Sequence, residues 1–82
     1  MKVSKDFDIE KMIEQYGDMV YRLALLNGNT KENAEDIFQE VFLRLVRYRD
    51  RLQSEEHVRN WLIRVTINCG KTYRRKWMMN QT

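Results

Sequence analysis

Arg64, Asn68, Lys71 and Arg75 recur at spacings of four, three and four, so a helix through them aligns all four, together with Asn60, in one polar stripe roughly 80° wide at ~100° per residue. Guanidinium and ammonium groups neutralise phosphates, and a carboxamide with two donors and an acceptor can read the edge of a base. Trp61, Tyr73 and Trp77 are interleaved with them. An aromatic ring beside basic groups offers an unpaired base a stacking platform worth ~1–3 kcal/mol. Trp61 also falls among apolar positions, where packing is its commoner task.

The charge distribution points the same way. All twelve Asp and Glu residues lie at or before Glu56, and residues 57–82 carry six Lys or Arg and no acid. Residues 1–56 are net −3 and residues 57–82 net +6, which the overall +3 conceals. A cationic surface attracts phosphates at long range and gains free energy from counterion release, so nucleic acid is the first expected partner. A solvated basic tail is the alternative with the same composition.

Other chemistries find little footing. The acids and the lone His57 do not recur at a spacing that joins a nucleophile, a base and an orienting group, so no catalytic residue is assigned. Gly17, Gly28 and Gly70 are isolated and form no phosphate loop. One cysteine, Cys69, cannot form an internal disulfide, and with one histidine there is no zinc spacing. No metal or cofactor is expected. Cys69 suits a small core position, and His57 a solvated loop.

The elements that must position the stripe are helical. The chain has no proline, three glycines and 43% apolar residues in 82, which predicts one all-α domain over residues 1–82, a compact bundle of three to four helices. From Asp8 to Leu26, Ile9, Met12, Ile13, Tyr16, Val20 and Leu23 lay one stripe along a first helix. Asn27-Gly28-Asn29 stops it, and Thr30 caps a second helix running to about Tyr48. Its buried side is expected to be Ala34, Ile37, Phe38, Val41, Phe42 and Leu45. Asp36, Gln39, Glu40, Leu43 and Arg47 fall opposite, with Leu43 an apolar group among charges. Residues 49–54 read as a loop, Ser54 as a cap, and Glu55 to about Trp77 as the last helix, with Val58, Trp61, Leu62, Val65 and Cys69 inward. Ile63 and Ile67 fit neither face and imply a further contact. Nothing repeats, and no apolar run approaches the ~20 residues that cross a bilayer. Lys2 and Lys5 are followed by Asp6 and Asp8 rather than an apolar stretch, so no membrane or secretory signal is read and the cytoplasm is the expected location.

Two ordered runs, Ala34-Glu35-Asp36-Ile37-Phe38-Gln39-Glu40-Val41-Phe42-Leu43-Arg44-Leu45 and Trp61-Leu62-Ile63-Arg64-Val65-Thr66-Ile67-Asn68, together resemble region two of the bacterial sigma-70 family in its extracytoplasmic-function subgroup. The likeness covers residues 9–76, including Tyr16 to Ala24. It implies that Asp36, Gln39, Glu40, Leu43 and Arg47 dock on the clamp helices of the largest catalytic subunit of RNA polymerase, with Leu43 as an apolar anchor. It also implies that the loop from Arg51 to Val58 and the helix after it hold the non-template strand of the minus-ten promoter element. The residues so implicated are Leu52, Gln53, Ser54, His57, Asn60, Trp61, Arg64, Asn68, Lys71, Arg74 and Arg75, with one base extruded into a loop pocket closed by Asn68. A duplex hides base edges, so such a protein must hold an unstacked base and a backbone cationically.

Two departures from the family pattern stand out. The stretch Leu52-Gln53-Ser54-Glu55-Glu56-His57 lacks the glycine often seen there and brings two acids near DNA. The chain ends at Thr82, where a linker and the helix-turn-helix that reads the minus-thirty-five element would follow, so an isolated domain or a short member without that second domain is expected. A sigma-like interaction module that binds polymerase or an anti-sigma factor without DNA remains the alternative. A duplex-binding helix-turn-helix repressor fits less well, because about six residues rather than a tight turn precede the basic helix.

Overall fold

The computed structural model describes residues 8–80, with side chains as far as Arg75. Three helices form it: α1 (Ile9–Leu26), α2 (Lys31–Tyr48) and α3 (Glu55–Asn80), with a single 3-10 turn at Arg49–Arg51 between the last two. Each helix starts on a side chain that satisfies an otherwise unpaired amide. Asp8 Oδ1 accepts from the Glu10 N–H at 3.0 Å, Thr30 Oγ1 from Asn33 at 3.1 Å, and Ser54 Oγ from His57 at 3.1 Å. Such caps contribute ~1 kcal/mol apiece. α1 ends where the Asn27 amide donates to Leu23 and Gly28 turns to φ 86°, a left-handed conformation that only glycine adopts cheaply.

The core joins Met12, Tyr16, Val20 and Ala24 of α1 to Ala34, Ile37, Val41, Phe42 and Leu45 of α2, and to Val58, Leu62 and Cys69 of α3. Fully buried side chains such as Ile37, Leu45 and Leu62 each contribute about 1.5–3 kcal/mol. The details depart from the sequence pattern. On α1, Ile13 is exposed and Leu23 half-buried, while Ala24 is buried. The contact line steps by four through Met12, Tyr16, Val20 and Ala24, and Gly17 beside it lets Phe38 of α2 come close, since a Cβ there would lie 3.2 Å from the ring. Phe38 of α2 is likewise only half-buried.

On α3 the inward face is rotated by roughly 40° from expectation at ~100° per residue. Thr66 is fully buried, whereas Trp61 and Val65 are half-buried. The Thr66 hydroxyl donates to the Leu62 carbonyl at 2.6 Å, which removes the cost of burying it. The rotation follows from α3 packing against both α1 and α2, which widens its buried arc and half-covers Ile63 and Ile67.

A polar clamp fixes that rotation. Asn29, almost wholly buried, donates through Nδ2 to the Ala24 and Gly70 carbonyls at 3.3 and 3.2 Å. Arg74 Nη1 donates to the Asn27 carbonyl. A Cβ at position 70 would lie 3.2 Å from Asn29 Nδ2, so the turn after α1 approaches α3 closely only because Gly70 has none. Seated this way, α3 presents its remaining side to solvent. α2 runs antiparallel to it, Tyr48 meeting Trp61 at one end and Glu40 meeting Tyr73 at the other.

Candidate nucleic-acid interface and the acidic ridge beside it

Asn60, Arg64, Asn68, Lys71 and Arg75 are all exposed on one continuous helix, and helical periodicity places them on a single side, away from Val58, Leu62, Thr66 and Cys69. No acid follows Glu56 in the sequence, so beyond its first turn, which carries Glu55 and Glu56, α3 contributes only positive charge along the stripe. Arg74 stands apart from this row. Its guanidinium turns to the end of α1, where carbonyls unpaired at the helix C-terminus attract it. The side chain of Trp77 lies outside the described residues.

The loop end differs more from expectation. Leu52, read as a DNA contact, is 3% exposed and belongs to the core. Its amide donates to Arg49 at 3.1 Å, and an apolar side chain that ends a 3-10 turn beside a core is drawn in rather than out. Gln53, Ser54 and His57 remain exposed. His57 lies in the first turn of α3 rather than in the loop, and its Nδ1 accepts from the Gln53 N–H at 3.4 Å, tethering the loop to the helix start. Glu55 and Glu56 are exposed beside it.

Trp61 stacks on Tyr48 with ring centroids 5.4 Å apart and planes 15° from parallel. The Arg51 guanidinium lies 5.4 Å from the Tyr48 centroid, a cation–π geometry. Tyr48 was absent from the sequence-derived set, and Arg51 entered it only as the first residue of the loop. The cluster Tyr48-Arg49-Asp50-Arg51, aromatic and basic at the edge of the loop, was the available signal.

Asn68, the residue expected to close a pocket over that loop, lines a groove farther along α3. It lies roughly 20 Å along α3 from Glu55 at ~1.5 Å per residue. The cavity it lines is a groove of about 280 Å³ between α2 and α3, shared with Glu40, Arg44, Cys69, Thr72 and Tyr73. Arg44 Nε donates to Glu40 Oε2 at 2.8 Å at the rim, both side chains partly exposed. Such an i,i+4 pair contributes only ~0.3–0.5 kcal/mol. The hydrogen bond to Glu40 raises the Arg44 pKa above its ordinary value. Burial raises the Cys69 thiol, so it stays protonated and a poor nucleophile at neutral pH. Burial, then Asp36 and Glu40, raise the Tyr73 phenol.

The outward side of α2 carries the opposite character. Asp36, Gln39, Leu43 and Arg47 are exposed and Glu40 half-buried. Leu43 is 58% and Val46 44% exposed, so the ridge has two adjacent apolar groups where sequence reasoning had singled out one. On its far edge a groove of about 540 Å³ between α1 and α2 is floored by Ile13, Gly17, Tyr21 and Phe38 and rimmed by Asp18, Glu35 and Gln39. Among the described residues no acid, histidine and cysteine cluster could hold a metal ion, and no helix is long and apolar enough to cross a membrane.

Comparison with known proteins adds a family to this geometry. Residues 12–77 match the family model for Sigma-70 region 2. The chain is similar to the ECF RNA polymerase sigma factor SigE of Mycolicibacterium smegmatis, 36% identical over 59 residues that span 72% of this chain and 23% of that relative. No solved structure gives a significant match.

Proposed function

The chain belongs to the sigma-70 family as a region 2 domain of the extracytoplasmic-function subgroup, and from that premise we propose that it recognises promoter DNA and captures the melted minus-ten element when carried by core RNA polymerase. The observation that supports this most is the exposed, acid-free row Asn60, Arg64, Asn68, Lys71 and Arg75 on α3. In this reading Arg64, Lys71 and Arg75 take phosphates of the non-template strand and Asn68 a base edge. Gln53, Ser54 and His57, with the Trp61–Tyr48 stack, hold the strand at the loop end. Melting needs no fuel, because binding an unpaired strand pulls the duplex equilibrium toward the open form.

Asp36, Gln39, Glu40, Leu43 and Arg47 meet the clamp helices of the largest polymerase subunit, acids toward basic partners and Leu43, with Val46, as the apolar anchor. Such a domain acts by binding rather than by catalysis. Its place of work is the cytoplasm, and an anti-sigma factor is a natural competitor for either face.

The test is binding of the chain to single-stranded non-template minus-ten oligonucleotides against scrambled ones, at several salt concentrations. Preference for the promoter strand is expected, with a log-log salt slope of about −2 if roughly three phosphates are neutralised at ~0.7 each. Equal affinity for both strands at low salt would leave the interaction-module reading, in which the α2 ridge alone carries function.

A further inference from the structure

The α2–α3 groove sits between the two proposed faces, and one residue belongs to both. Glu40 lies on the edge of the acidic ridge, and it also lines the groove with Asn68, Thr72 and Tyr73. There it holds Arg44 through a single Nε to Oε2 hydrogen bond of 2.8 Å. Arg44 is exposed, stands across the groove from Asn68, and was assigned no role by either the sequence pattern or the family resemblance.

We propose that this groove is a further nucleotide-binding site, in which Arg44 takes a backbone phosphate of the single strand once Glu40 is drawn away by a basic partner docking on the ridge. The inference rests on the reading that α3 binds single-stranded DNA.

The physical argument is charge matching. A guanidinium has five donors, and the pair with Glu40 engages one of them at a partly solvated rim, so the bond is weak enough to exchange. While Glu40 stays in place, its carboxylate repels any phosphate entering the groove and neutralises the cation that would receive it. A basic side chain from a protein partner gives Glu40 a second cation. Arg44 then stands at the mouth of the groove opposite Asn68 of the α3 stripe, where a phosphate restores its balance. Each binding event therefore favours the other, and by linkage strand binding raises affinity for the basic partner by the same factor.

The experiment uses the 82-residue chain and a labelled single-stranded minus-ten oligonucleotide, titrated from about 50 mM salt upward. Glu40→Gln mimics the docked state by removing the charge that holds Arg44. It is expected to tighten binding roughly fivefold and to steepen the log-log salt slope by ~0.7, one additional phosphate contact. Glu35→Gln removes an equal charge from the α1 side of α2 and should change affinity less than about twofold. In the double variant Glu40→Gln/Arg44→Gln the gain should vanish. A gain that survives in the double variant, or that Glu35→Gln reproduces, overturns the proposal and leaves strand binding by α3 intact. No change in Glu40→Gln overturns it equally. If neither the unmodified chain nor Glu40→Gln binds the strand at all, the strand-binding function falls and this proposal with it.

Discussion

The inward halves of α2 and α3 are built alike and their outward halves are opposites. Inward, each helix sets side chains four residues apart, Ile37, Val41 and Leu45 on one and Val58, Leu62 and Thr66 on the other, all fully buried. Outward, α2 shows acids around Leu43 and Val46, and α3 shows Asn, Lys and Arg with no acid. Burial constrains the inward halves to one solution, since any close-packed helix pair needs it. Solvent imposes no such demand, so the outward halves carry whatever their partners require. The two faces differ in kind as well as sign. α2 presents apolar area, and α3 presents discrete charges and a carboxamide; in the proposed function the first meets a protein and the second a strand.

Disturbing the shared half should have the largest effect. Leu62→Ala leaves a cavity where α1, α2 and α3 meet and is expected to cost about 2–5 kcal/mol, a large part of the stability of so small a domain. Thermal unfolding should show it, and both binding faces should be lost together. Unchanged melting would mean that the core is not the common scaffold.

Next is the clamp that sets the azimuth of α3. Asn29→Ala abandons the Gly70 carbonyl contact and should cost about 1–3 kcal/mol. Strand affinity measured well below the melting point should weaken further than the stability loss alone explains, because the stripe's orientation loosens.

The faces can then be separated. Leu43→Ala should reduce polymerase binding about tenfold, as expected for truncating an apolar anchor, with strand affinity and melting temperature unchanged. Lys71→Ala should do the reverse, weakening all single strands about threefold and flattening the salt slope by ~0.7, while Asn68→Ala relaxes preference at one base. Cross-talk between Leu43 and Lys71 would show that the faces are not independent, and the Glu40–Arg44 pair is where to look for it.

The smallest effect concerns Cys69 at the seam. Burial raises its thiol pKa, so the folded state favours the protonated form. The resulting stability is present below the unfolded thiol pKa of ~8.5 and is lost as pH rises through the folded-state value. Cys69→Ala should flatten the decline in melting temperature above about pH 8.5, and a parallel decline in the variant would assign it to another group, with Tyr73 next in line.

Local chemistry was legible from the chain alone. Thr30 and Ser54 cap helices because their side chains reach amides three residues on, and Gly28 turns the chain because it lacks a Cβ. Those interactions span a few residues, so sequence specifies them fully. The outward row on α3 was legible too, since periodicity within one helix needs no partner. The rest depended on which neighbours a helix meets. Leu52 entered the core because the 3-10 turn ends beside it, while Arg74 turned to the end of α1 and Asn68 came to line the groove toward α2 because α3 is rotated to serve two helices at once, held by Asn29 against Gly70. A contact between residues forty positions apart leaves no periodic trace in the sequence, and such contacts decide which side of a helix is inside.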